Sequence, residues 1–97
     1  MPTYIVSMNW TDQGVKSFRD SVDRASGAEV LLSPAGISFK DVYWTVGAHD
    51  LVAIIEAPDD ATLAAALLTL AAQGNLRTTT ARAFTAEEMR GVIAKAA

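Results

Sequence analysis

The chain has 97 residues, of which 51% are hydrophobic and 20% charged, and carries a formal net charge of -3. That length holds one domain, residues 1–97, whose core is only modestly self-sufficient, and the few scattered basic residues argue against nucleic acid as a partner, which needs clustered Lys and Arg. Absent cysteine and a single histidine exclude a disulfide framework, thiolate catalysis, Cys-ligated zinc and a multi-His metal site within one chain.

In chain order, Tyr4 to Trp10 alternates, with Tyr4, Val6, Met8 and Trp10 on one side and Ile5, Ser7 and Asn9 on the other. A period of two predicts a strand. Thr11 and Asp12 are helix-start residues, and Val15, Phe18 and Val22 then recur at helical spacing. Gly14 and Gly27 weaken that segment, so a two-piece helix is expected, restarting near Ser21 and ending at Leu32. Ser33-Pro34-Ala35-Gly36 punctuates it.

Ile37 to Val46 reads as a second strand, and its alternation slips between Phe39 and Val42, which predicts a β-bulge near Lys40-Asp41. Gly47-Ala48 is a short turn into a third strand from His49 to Ala57, making a hairpin. Pro58-Asp59-Asp60 opens a helix with an acidic cap, Leu63, Ala66, Leu67 and Leu70 mark its buried stripe, and Gly74-Asn75 closes it. A fourth strand runs from about Leu76 to Phe84. Thr85-Ala86-Glu87-Glu88 has the pattern of a capping box, and Met89, Val92, Ile93 and Ala96 give the final helix an apolar stripe.

The order is βαββαβ plus a C-terminal helix. Two right-handed crossovers joined by a hairpin predict an α+β, ferredoxin-like, four-stranded antiparallel sheet. The third strand is apolar on both sides: Leu51, Ala53, Ile55 and Ala57 on one, Val52 and Ile54 on the other. Both crossovers cover the same face of such a sheet, so the other needs a cover of its own. A second copy packed sheet to sheet at about 10 Å supplies it, with the terminal helix reinforcing a homodimer. The first residues lack the charged start of a signal peptide, and no apolar run is long enough to span a bilayer, so a cytoplasmic chain with no membrane segment is expected.

Four stretches carry a family resemblance: Asn9-Trp10-Thr11-Asp12-Gln13-Gly14, Tyr43 to Asp50, Glu56 to Asp60, and Gly74 to Phe84. In order and spacing they resemble the GYD domain family across nearly the whole chain. The resemblance implies a ferredoxin-like domain of the dimeric α/β-barrel type from small bacterial proteins, and no particular reaction. Where the family usually has tyrosine before the aspartate that follows the hairpin glycine, this chain has His49. The pattern is similar, more distantly, to the ligand-binding half of the Lrp/AsnC transcription regulators, without their DNA-reading helices.

No residue constellation specifies a catalytic centre, a metal site or a cofactor. His49 beside Asp50 has the composition of a base and its orienter, yet neighbours on a strand point to opposite faces. Trp10, Tyr43 and Trp44 are aromatics at strand ends, suited to lining a pocket or filling a core or interface. Arg77 and Arg82 lie five apart and so face opposite sides, one of them free to meet an acid such as Glu56 or an anionic ligand between sheets. Asp59-Asp60 is explained by the helix cap and dipole without a metal. The leading expectation is a homo-oligomeric domain that binds a small organic molecule or another protein near Trp10, Tyr43, Trp44, His49 and Arg77. The alternatives are a cofactor-independent oxygenase or isomerase of aromatic compounds, by fold analogy alone, and a structural assembly module.

Overall fold

Strand β1 (Thr3–Trp10) runs through the interior of a four-stranded antiparallel sheet in the computed structural model, which describes all 97 residues. The other strands are β2 (Ser38–Trp44), β3 (Leu51–Glu56) and β4 (Leu76–Ala83), in the order β2-β3-β1-β4, so that β3 and β4 flank β1. That order is the ferredoxin-like one. The first crossover comprises α1 (Asp12–Lys16), a 3-10 turn (Phe18–Asp20) and α2 (Ser21–Leu32); the second is α3 (Asp60–Ala72), and α4 (Ala86–Lys95) closes the chain.

Residues directly opposite in a ladder share a face. The pairs Tyr4–Ile55, Val6–Ala53 and Met8–Leu51 therefore form one buried surface, and Leu32 of α2 with Leu63, Ala66 and Leu70 of α3 pack against it. Twelve apolar residues make up this core, few enough that the fold rests on one side of its sheet only.

Within the hairpin, the register slips between Phe39 and Asp41, where the broken alternation predicted a bulge. The hairpin loop is longer than the two-residue turn expected. β2 ends at Trp44 and β3 begins at Leu51, because the Thr45 N–H donates to the Asp50 carbonyl (2.9 Å) and the Thr45 hydroxyl to the His49 carbonyl (2.5 Å). These bonds close a compact loop that takes His49 out of the strand.

The apolar spacing of the first crossover is also misleading. Val15, Phe18 and Val22 are 45%, 52% and 62% exposed. The chain breaks at Ser17 between α1 and the 3-10 turn, which rotates the second piece and turns Ser21, Ala25 and Ala28 toward the sheet instead. Helical periodicity carries across a segment only while the helix is continuous.

Both acidic helix caps form. Asp59 Oδ1 accepts from the Thr62 N–H (2.7 Å), and Thr85 with Glu88 completes the reciprocal capping box at 3.1 and 2.9 Å. The bond from the Thr62 N–H to Asp59, and that from the Thr85 N–H to Glu88, hold both carboxyls below their ordinary values. A depressed folded pKa means stability present above the unfolded value and lost as pH falls through the folded one. The protection factors of the α4 amides, exchange rates corrected for the intrinsic pH dependence, should therefore fall as the solution is taken below pH 4.5, the ordinary value for Glu88, and Glu88→Gln should remove that fall. Protection in α4 that is unchanged from neutral pH to well below that value would mean the box contributes nothing.

Candidate functional site

Opposite the core lies a sheet face that no helix of the chain covers. The ladders set its rows: Ile54–Ile5–Ala81 across the middle, Val52–Ser7–Thr79 beside it with Tyr43 at the β2 end, and Asn9–Arg77 beyond. On the other flank Glu56 pairs with Thr3, and Lys40 reaches Glu56 at 3.5 Å. Ile5 is 39% exposed, well above any core residue. The centre of this face is thus apolar and its margins polar. Helix α4 does not fold back over it. No residue of α4 is buried, Met89, Val92 and Ile93 stand exposed, and the molecule stretches to 49 Å. Its radius of gyration, 14.5 Å, exceeds the ~12.5 Å expected of a compact chain this long.

The five residues singled out from the sequence divide between the two faces. Tyr43 and Arg77 lie on the open face. Trp10 and Trp44 pair with Leu76 and Leu51 and turn toward the helices, where the Trp44 indole N–H donates to the Ser21 hydroxyl at 2.7 Å. The bulge is the reason for Trp44: one extra residue before it inverts the alternation, so Val42 and Trp44 face the core and Tyr43 faces out.

His49 sits in the hairpin loop with Nδ1 2.8 Å from the Asn9 side-chain oxygen. The Asn9 amide nitrogen donates to the Ala48 carbonyl at 2.9 Å, which leaves its oxygen as acceptor and places the His49 proton on Nδ1. Asn9 is paired with Arg77, so His49, Asn9 and Arg77 share one end of the open face. Asp50 takes no part. Its Oδ2 accepts from the Trp10 backbone N–H at 2.9 Å, and His49 with Asp50 is no catalytic dyad.

Arg82 faces the helix side, stacked 5.6 Å from the Tyr4 ring and 4.5 Å from the Phe84 ring, and Glu56 pairs with Lys40 rather than with either arginine. The Tyr4 hydroxyl donates to the Asp60 carboxylate, and that bond, with burial, raises its pKa. Of the two acids at the start of α3, Asp59 is the cap and Asp60 is this tyrosine's acceptor.

Two features escaped the sequence reading. Asn9, the orienter of His49, acts across forty residues and leaves no local signal. The second is a clamp between the loops that leave β1 and enter β4. The Thr11 N–H donates to the Asn75 carbonyl (3.1 Å), the Thr11 hydroxyl to the Gly74 carbonyl (2.6 Å), and the Gln13 amide to the Gln73 carbonyl (3.1 Å) and the Asn75 side chain (3.0 Å). Gly14 is buried against it.

Comparison with known proteins adds three findings. The GYD domain model matches residues 4–93. A protein of Thermus thermophilus named "Glutamine synthetase and cystathionine beta-lyase binding protein" is 34% identical over 85 residues, covering 87% of this chain and 90% of the relative. No solved structure matches. The more distant resemblance to the Lrp/AsnC regulators gains no support from any of these matches.

Proposed function

The chain belongs to the GYD domain family, and from that footing we propose that it is a non-catalytic homodimeric module that binds a protein partner. The observation that carries the pairing is the uncovered sheet face. Its Ile54–Ile5–Ala81 row is apolar and fringed by Tyr43, Ser7, Thr79, Arg77 and the Lys40–Glu56 pair. An apolar centre inside a polar rim is the usual anatomy of a protein interface. A second copy laid sheet to sheet buries both centres, and the exposed stripe of α4 then reaches the partner subunit.

The relative's name, which describes a protein that binds glutamine synthetase and cystathionine beta-lyase, supports an enzyme as the partner. An enzyme-binding dimer in the cytoplasm is the corresponding role for this chain. The test mixes the purified chain with glutamine synthetase and with cystathionine beta-lyase from the same organism and reads the mass of each mixture by light scattering. A stable complex with either one is the expected result. Two unchanged mass profiles at micromolar concentration would overturn the partner assignment.

A small ligand at the dimer interface is a second reading, and the grouping of His49, Asn9 and Arg77 favours it. A cation and an orientable imidazole at one end of an apolar face suit a small anion. Tyr43 lies on the same face, whereas Trp10 and Trp44 would have no part in such a site.

A further inference from the structure

A cavity of about 70 Å³ lies on the helix side of the sheet, under the break in the first crossover. Its walls are Met8, Trp10, Phe39, Val42, Leu51 and Leu70. It exists because α2, before Leu32 at its end, turns the small residues Ser21, Ala25 and Ala28 to the sheet, where α3 turns Leu63, Ala66 and Leu70. Small side chains leave unfilled the room that the larger ones on α3 occupy, and an unfilled apolar space forfeits dispersion contacts.

The cavity is not sealed. Arg24, Ala28 and Gln73 belong both to its wall and to an adjoining surface groove of about 220 Å³ between α2 and the end of α3. Arg24 stands at that junction with no carboxylate paired to it, and the Gln73 side-chain amide beside it makes no hydrogen bond within the chain. An apolar interior, a passage to the surface and free donors at the mouth are the elements of a site for an amphiphilic small molecule.

We infer that this cavity binds a small monocarboxylate, its apolar tail among Trp10, Leu51 and Leu70 and its carboxylate at Arg24 and Gln73. The site belongs to each subunit alone and lies on the far side of the sheet from the proposed dimer face, so its occupancy does not depend on pairing. A guanidinium meets a carboxylate with two parallel N–H···O bonds, and that geometry selects a planar acid over an alcohol of equal length.

The experiment titrates the purified chain with hexanoate and with hexan-1-ol. Neither absorbs where tryptophan emits, and both tryptophans of the chain report on the site: Trp10 lines it and Trp44 bonds to Ser21 in its wall. Hexanoate should change the emission with a dissociation constant of about a millimolar or below, and hexan-1-ol should bind roughly tenfold more weakly, the worth of one charge-assisted contact. Arg24→Gln should bring the two ligands to equal affinity, and Ala28→Leu, which fills the cavity, should abolish binding of both. Because Ala28→Leu risks disturbing the fold, amide shifts of the unaltered protein are a second readout. Perturbations centred on Ala25, Ala28 and Gln73 support the site, whereas shifts confined to the open sheet face overturn it. No emission change with either ligand, or an Arg24→Gln variant that still prefers the acid, overturns it as well.

Discussion

Replacing Gly14 with alanine should lower stability by about 3 kcal/mol, the upper end of the usual cost of overpacking. A Cβ there would stand 2.0 Å from the Asn75 carbonyl oxygen, 2.9 Å from its carbon and 3.0 Å from its Cα. All three are backbone atoms, so no side chain can rotate out of the way. The same Asn75 carbonyl accepts from the Thr11 N–H, and Gly74 beside it has a left-handed backbone (φ 81°) that disfavours other residues. The strain therefore falls on a segment with little freedom to move, and the clamp joining β1 to β4 has to open. For a domain of this size the melting temperature should fall by roughly 12 to 24 °C. Gly27→Ala is the matched control. Nothing lies within 4 Å of its Cβ position, and it sits inside α2, so it should gain about 0.4–1 kcal/mol. Thermal unfolding followed by circular dichroism reads both, and a Gly14→Ala variant melting within a few degrees of the parent would show that the loops are not held this close.

The unmodified protein should give a dimer in native mass spectrometry, and Ile5→Glu should reduce it to a monomer. Ile5 occupies the centre of the open face, flanked by Ile54 and Ala81. A carboxylate there, in a sheet-to-sheet dimer, would be taken out of water with no partner in place, and a central truncation or charge in such a patch commonly weakens association by roughly a hundredfold or more. The monomer fold has no comparable objection, because Ile5 is 39% exposed and takes no part in the core. Phe18→Glu, on the outer surface of the first crossover, should leave the mass unchanged. Dimers that survive Ile5→Glu would place the contact elsewhere, and an unmodified protein that is monomeric would remove the basis of the functional proposal.

The order of elements was legible before any coordinates because each strand and cap is specified locally. Alternation from Tyr4 to Trp10 set both the strand and the side on which Tyr4, Val6, Met8 and Trp10 lie. Thr85 and Glu88 are three apart, the distance a capping box needs, and Asp59 stands at the start of α3. The slip after Phe39 announced the bulge. All of these depend on residues within one turn or one strand, and the physics that decides them is equally short in range.

Only the tertiary structure decided which of those residues meet. Trp10 and Arg77 were grouped in one prospective site, but the β1–β4 register pairs Arg77 with Asn9 and so sends the two to opposite faces. A bulge inverts every position beyond it, which is why Tyr43 faces out while Trp44 faces the core. The break at Ser17 rotated α2 enough to expose Val22 and to leave the small-walled cavity over Trp10. Gly14, which looked like a flaw in a helix, is needed because Asn75 arrives from sixty residues away. Local patterns fix what a segment becomes. Register, rotation and close approach are settled between segments, and in this chain they decide which side chains reach the open face and which line the cavity.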